Sequence, residues 1–572
     1  MRLHLPLEIP CSRRAPEQWD QVRGRRSARW KSPADGAVLG LLLVWVALFA
    51  SAAGPVWAKS TPPPKTIEQW ESRVRRAEDR YGEKWGVAVA DLQSDQIVYR
   101  YQPERQLIPA SNRKLIVLGM ALHFLGPDYI YRTNFGLGRP HEGEKAHYHG
   151  DLIVRASGDP SIGFPNRDGT QENPLDLFGG WARKLGETGI AFVHGDLVID
   201  ATAFGADQNC FPAVWESYHR KHAYAPAPSA LAACQNLLRI TVKPAKSQGG
   251  AGRLSIFPSS KGLEIDNKTR SYWEGAKGVS ADFSEGREDL VVTGRVRIKA
   301  RPEVVVTPIP RPIDYLGTLL LRALEEQGIE LTGGLRIETV HAPGGPSLEI
   351  AQLLETRRSP TLDLMLINMM RRSNNFQAEQ IWRSAAARVT GSGGLAEARR
   401  VEQSWYRRIG HPWIEPGYDG SGLSRRNRVS ANELMLVAKY LYYSTYRDFV
   451  LQTMPVSGRR GTLRKRSFFK AGRRVSAKTG TLSGASALTG YIHDRQGHPR
   501  YVFSVIGNAK RDTHGRMSIR VNHLMKILIR RMDAGMGPFG GGDGARSSAK
   551  GTSGDGGRAR MKRAKPGIKR KL

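Results

Sequence analysis

The six residues PASNRK (109–114) run directly into the apolar stretch LIVLGMAL (115–122). This pattern predicts a loop that turns into a helix closing near Gly126. Ser111 and Lys114 are three positions apart, so a helical turn puts both side chains on one face, with the hydroxyl and the amine in reach of each other. A serine hydroxyl is a poor nucleophile at its own pKa and needs an adjacent base. A lysine kept neutral by partial burial and cationic neighbours can serve as one. The N-terminal turn of a helix adds backbone N–H groups suited to an oxyanion. Taken alone the spacing is weak, because it recurs at Ser547 and Lys550, where nothing predicts a fold.

Two further motifs follow in order. Leu362, Met365, Leu366, Met369 and Met370 carry the apolar spacing of an amphipathic helix over 361–372. Ser373-Asn374-Asn375 follows it, placing a hydroxyl able to relay a proton and the Asn375 amide on the loop at its end. The similar Ser430-Ala431-Asn432 reads instead as the N-cap of another helix. The third motif is Lys478-Thr479-Gly480-Thr481, within the strand-prone SAKTGTLSGASALTGYI (476–492). Here Lys478 supplies positive charge for a substrate carboxylate, Gly480 permits close backbone approach, and Thr479 and Thr481 offer hydroxyl and N–H donors. Each motif alone has a plainer reading, as a cap or as an edge-strand lysine that blocks aggregation. S-x-x-K, S-x-N and K-T-G together, on helix start, loop and strand, match the pattern of penicillin-recognising serine enzymes.

The chain resembles the D-Ala-D-Ala carboxypeptidase/endopeptidase family, the class C low-molecular-mass penicillin-binding proteins. Besides the three motifs, the resemblance rests on the GDP turn Gly158-Asp159-Pro160, PAPSAL (226–231), DGSGLSRRN (419–427) and PVSGRRGTLRKR (455–466). The stretch between Lys114 and Ser373 is long enough for whole inserted domains, which separates this family from β-lactamases. The resemblance covers about Thr66 to Arg530. It implies an α/β fold: a transpeptidase/β-lactamase-like domain, an antiparallel sheet flanked by helices, interrupted by a large β-rich insertion of one or two domains. It also implies that Ser111 attacks the peptide bond between two D-alanines to form an acyl-enzyme, with Lys114 as base. Ser373 and Lys478 then carry the proton to the leaving amine, and Asn375 orients the peptide. Lys478, Thr479 and Thr481 hold the terminal carboxylate, with Gly480 between them, and the N–H groups of Ser111 and Thr481 form the oxyanion hole. Asp159 is a candidate contact to the diamino acid of the stem peptide. No cofactor and no metal are required. The implied partners are peptidoglycan stem peptides, with β-lactams as covalent inhibitors. A penicillin-binding scaffold with weak or vestigial catalysis is the alternative reading; a β-lactamase would need a deacylating base that no motif supplies.

Outside this region the chain has two unlike ends. An Arg-rich segment precedes the apolar run AVLGLLLVWVALFA (37–50), and Val56-Trp57-Ala58 closes it, the three parts of a secretory signal peptide. This predicts export to the periplasm, with residues 1–58 either cleaved or kept as an inner-membrane anchor. From Gly541 to the end stand about ten basic and two acidic residues with almost no large apolar ones. Residues 533–572 are therefore expected to be a disordered basic tail, solvated or bound to anionic envelope polymers. Overall, 87 Lys and Arg against 53 Asp and Glu give a formal charge of +34, which favours polyanions without implying a specific nucleic-acid partner. Three cysteines exclude a disulfide-dense scaffold. Cys210 and Cys234 would remain after export, and either a bridge between them or two separate thiols fits.

The hairpin GVAVADLQSDQIVYRY turns at Ser94-Asp95, and with 59–130 and 351–532 it is assigned to the catalytic domain. That domain should also contain helices near 376–389, 395–409, 430–444 and 514–532, and strands near 474–480, 485–493 and 501–508. Residues 131–350 read as the insertion, strand-dominated with one helix at 314–327, and 241–300 read as an inner nested domain. The histidines His141, His147 and His149 read as a solvated loop rather than a metal site.

Overall fold

The computed structural model describes residues 62–140, 146–164, 172–275, 277–283, 289–340, 348–466, 468, 474–510 and 514–537. The signal-peptide segment, His141 and the tail beyond Gly537 lie outside the described residues. No helix among the described residues is long and apolar enough to cross a membrane.

The two ends of the described chain build one five-stranded antiparallel sheet. Its order is Val475–Leu482, Ala485–His493, Pro499–Asn508, Lys84–Asp91, Ile97–Tyr101. Lys84–Asp91 is buried at every position but its first, because the sheet has helices on both faces. Val87, Val89, Phe503 and Val505 share one core with Trp70, Val74, Leu524 and Leu528 of the helices Ile67–Tyr81 and His514–Asp533. Ala88, Ala90, Val502 and Ile506, the alternate residues, pack on the other side with Lys114–Phe124, Leu362–Arg372, Asn375–Thr390 and Ala431–Tyr443.

The helix Ile67–Tyr81 went unread in the sequence. Its buried stripe is only Ile67, Trp70, Val74 and Ala77 among charged residues. Its end signals are regular: the Thr66 side chain accepts the Gln69 N–H, and Gly82 at φ +61° closes it in the left-handed region. Pro174–Gly186, capped by Asn173, and Arg447–Thr453 are further helices that were not expected.

The insertion differs from its sequence reading in two ways. Gln352–Arg358, expected in the catalytic domain, pairs antiparallel with Arg132–Leu137. It forms the edge of a mixed sheet ordered Leu335–Glu338, Leu197–Asp200, Leu152–Arg155, Arg132–Leu137, Gln352–Arg358. The junction with the catalytic frame therefore falls after Arg358. Second, the residues expected in a nested inner domain do not close a core of their own. Val242, Leu290, Val292 and Val296 belong to one contiguous apolar cluster with Phe135, Trp181 and Leu316. The helices Pro174–Gly186 and Pro312–Glu326 complete that cluster, the second being the helix expected at 314–327 and the first an addition to it.

Candidate active site

The site forms where three segments converge. A 3₁₀ turn, Ala110–Arg113, leads into the helix Lys114–Phe124, which is buried from Lys114 through Leu122. This helix is apolar on all sides and so occupies the centre of the frame. A Cβ at Gly119 would lie 2.3 Å from the Trp405 ring, so the helix Leu395–Arg408 packs against glycine there. Gly480 of the edge strand lies against the turn before Ser111; a Cβ there would be 2.6 Å from the Pro109 carbonyl oxygen. Ser373 closes the helix Leu362–Arg372 at φ +59°, a left-handed conformation that a serine rarely adopts. Ala110, just before Ser111, is also left-handed at φ +48°. Gly422 lies against it, with room for no side chain: its Cβ would be 2.0 Å from the Ala110 oxygen. Strained backbone thus flanks the nucleophile and forms the relay position.

The side chains form two neighbouring hydrogen-bonded groups, one around each lysine. Lys114 Nζ donates to Ser111 Oγ at 3.0 Å, to Asn375 Oδ1 at 2.7 Å and to the Ser421 carbonyl at 2.6 Å. Lys478 Nζ donates to Ser373 Oγ and to the Thr479 carbonyl, each at 2.8 Å. Thr479 Oγ1 donates to Thr462 Oγ1 at 2.8 Å, and Thr481 is exposed. Asn375 Nδ2 donates to the Tyr224 carbonyl at 2.8 Å, tying the site to a loop of the insertion.

The acceptors explain the state of the amine. Burial pushes Lys114 down to about 7, against the opposing pull of Asp419 and Glu379. Its three direct acceptors are neutral, and those carboxylates stand one residue behind. Ser421 N–H donates to Glu379 Oε1 at 2.7 Å and Ser421 Oγ to Asp419 Oδ2 at 3.3 Å. Asp419 also accepts from Trp215 Nε1, the Gly422 and Ser424 N–H groups and Asn427 Nδ2. Burial, and then the charge of Asp419, raise the Glu379 carboxyl above the usual range. Burial likewise holds Lys478 well below an ordinary lysine, with the Lys114 charge adding to the effect. A substrate carboxylate arriving beside Lys478 would restore its charge.

Sequence reasoning missed several of these groups. Glu379 carried no signal, and Asp419 was noticed only inside DGSGLSRRN. Arg113 was given no role, yet it anchors the turn from below. Its guanidinium meets buried Glu402 at 2.5 and 2.8 Å and donates twice to the Asp419 carbonyl. Asn112 Nδ2 donates to Thr489 Oγ1 on the central sheet.

Asp159 and the two cysteines have definite surroundings. Asp159 is 1% exposed; its carboxylate is ion-paired to Arg357 and accepts the Ser161 N–H. Cys210 and Cys234 are free thiols, the first exposed and the second buried, so of the two readings the separate thiols describe the fold. Burial pushes the Cys234 thiol up to about 12, which leaves it inert. His147 Nδ1 lies 2.9 Å from His194 Nε2, and His149 stacks on His194 at 4.4 Å.

A serine bonded to a buried amine, a second lysine–serine pair, and a strand with Thr-Gly-Thr beside them define a serine peptidase of the penicillin-recognising class. The chain belongs to the D-Ala-D-Ala carboxypeptidase 3 (S13) family, whose sequence profile matches residues 70–524. It is 27% identical over 445 residues to a D-alanyl-D-alanine carboxypeptidase of Actinomadura sp. R39, covering 74% of this chain and 77% of that relative. The crystal structure of penicillin binding protein 4 (dacB) from Haemophilus influenzae superposes with a TM-score of 0.64 at 21% identity, covering 80% of this chain and 99% of that one. The same protein complexed with a β-lactam superposes with a TM-score of 0.61 at 20% identity, with the same coverage. The fold is that of this protein.

Proposed function

We propose that the chain cleaves the peptide bond between terminal D-alanines of peptidoglycan stem peptides, or the cross-links built from them, through an acyl-enzyme on Ser111. Ser111 Oγ attacks the carbonyl carbon and gives its proton to the neutral form of Lys114 Nζ, whose pKa burial lowers to about 7. The tetrahedral oxyanion is held by the N–H groups of Ser111 and Thr481, on the backbones that Gly480 lets approach. The C–N bond then breaks as the proton taken from Ser111 passes from Lys114 by way of Ser373 and Lys478 to the leaving amine, which leaves Lys114 neutral again. Lys478, Thr479 and Thr481 hold the leaving group's carboxylate. Asn375 fixes Lys114 through Oδ1, and its second amide N–H orients the peptide. Water attacks the ester, giving a proton to the neutral Lys114, which returns it to Ser111 Oγ as the acyl–oxygen bond breaks. β-Lactams enter by the same first step, as the complex of the Haemophilus influenzae protein with a β-lactam supports.

The observation that carries this reading is the pair of buried lysine contacts, Lys114 to Ser111 and Asn375, and Lys478 to Ser373. The test is release of D-alanine from a muramyl pentapeptide by purified protein, with Ser111→Ala as control. Release by wild type and none by the variant is expected. Folded wild type that releases none from pentapeptide or cross-linked dimer would leave a wall-binding scaffold. The chain works after export, its N-terminal segment directing it there and its basic tail binding anionic envelope polymers. Deleting the residues after Asp533 should leave turnover of small peptides intact and weaken salt-sensitive wall binding.

A further inference from the structure

Beside the leaving-group side of the site stands a group of arginines that the mechanism does not use. Arg371 and Arg372 end the helix that Ser373 closes. Arg459 and Arg460 precede the turn Gly461–Leu463, whose Thr462 hydroxyl meets that of Thr479. The two pairs are held together: a Cβ at Gly461 would lie 2.8 Å from the Arg371 carbonyl oxygen. Arg371 donates twice to the Gln452 carbonyl, and Arg460 donates to the Met454 and Leu451 carbonyls. Both guanidiniums therefore sit at the carbonyl end of the helix Arg447–Thr453, whose partial negative charge favours them. Among the described residues none of the four has a carboxylate within ion-pair distance. Three of them repel instead: burial lowers Arg460 to about 10, and the charges of Arg371 and Arg459 lower it further in the same direction. Arg372 and Arg459 are exposed. Like charges fixed together on a scaffold of carbonyls, with two guanidiniums open to solvent, make a site for an anion.

Resting on the peptidase reading, we infer that Arg372 and Arg459, supported by Arg371 and Arg460, bind the carboxylates of the leaving half of a cross-linked stem peptide. The argument for this ligand is position. The cluster continues outward from Thr479, where the leaving group's own carboxylate is held, and a pentapeptide's leaving D-alanine ends there. A cross-linked dimer leaves as a longer peptide carrying further carboxylates, and only that substrate reaches the arginines. The cluster thus biases the enzyme toward cross-link cleavage.

The test compares wild type with R372Q/R459Q on a cross-linked muropeptide dimer, on the same dimer with its free carboxylates amidated, and on a monomeric pentapeptide. At low salt the variant should lose about fivefold in kcat/KM on the native dimer, the size expected for two exposed ion pairs. It should lose nothing on the amidated dimer or the pentapeptide, and its acylation by fluorescent penicillin should match wild type, which also shows that it is folded. Unchanged kcat/KM on the native dimer overturns the inference while leaving the peptidase reading in place. Unchanged dimer turnover with lost retention of polyphosphate would overturn it in favour of a phosphate polymer. Wild type inactive on both substrates would overturn both.

Discussion

Between Phe135 and Ile329 the insertion fills its interior with apolar side chains, and its buried acids, Asp159 and Asp200, each hold an arginine directly. The frame around Ser111 buries Lys114, Lys478, Arg113, Glu402, Glu379 and Asp419 within a few residues of one another. There only Arg113 and Glu402 pair directly; the lysines bond to hydroxyls, an amide and carbonyls. The insertion buries charge by neutralising it on contact. The catalytic frame keeps two amines dry and away from carboxylates, which is how an amine becomes a base at neutral pH. Stability favours the first arrangement and reactivity the second.

That contrast breaks most readily at Lys114. Lys114→Met should slow acylation by fluorescent penicillin about a thousandfold, while the melting temperature holds or rises as a buried amine gives way to an apolar chain of similar shape. A large loss of stability with little loss of rate would mean that Lys114 is structural. Arg113→Met should do the reverse. It leaves Glu402 buried and unpaired, costing about 3–5 kcal/mol in denaturant unfolding, and acylation should survive in the fraction that stays folded.

The pH profile sharpens the role of Lys114 further. Only the neutral amine accepts the Ser111 proton, and burial holds that amine near 7. The acylation rate should therefore fall about tenfold per unit as pH drops below that value and level off above it. A rate independent of pH from 5 to 8 would remove Lys114 as the base. The smallest effect belongs to the insertion: Ile240→Val, deep in its core, should cost about 0.5–1.5 kcal/mol and leave acylation unchanged.

What the sequence disclosed and what it hid divide along the same physical line. Ser111 and Lys114 are one turn apart, Ser373 and Asn375 two residues apart, and Lys478 to Thr481 consecutive, so short windows carry each group. The hairpin before Tyr101 and the strongly periodic helix Leu362–Arg372 were legible for the same reason. Glu379 and Asp419 reach the site only through Ser421, contacts that no local window contains. The short motif around Asp159 likewise says nothing of the distant Arg357 that pairs with it. Gln352–Arg358 looked like catalytic-domain chain because strand propensity does not reveal which sheet a strand joins.

The most direct measurement is peptide mapping by mass spectrometry of folded protein incubated with benzylpenicillin. The account predicts a penicilloyl mass gain on the peptide containing Ser111, absent from Ser111→Ala. Folded protein that gains no mass, or that carries the adduct on another residue, would contradict it.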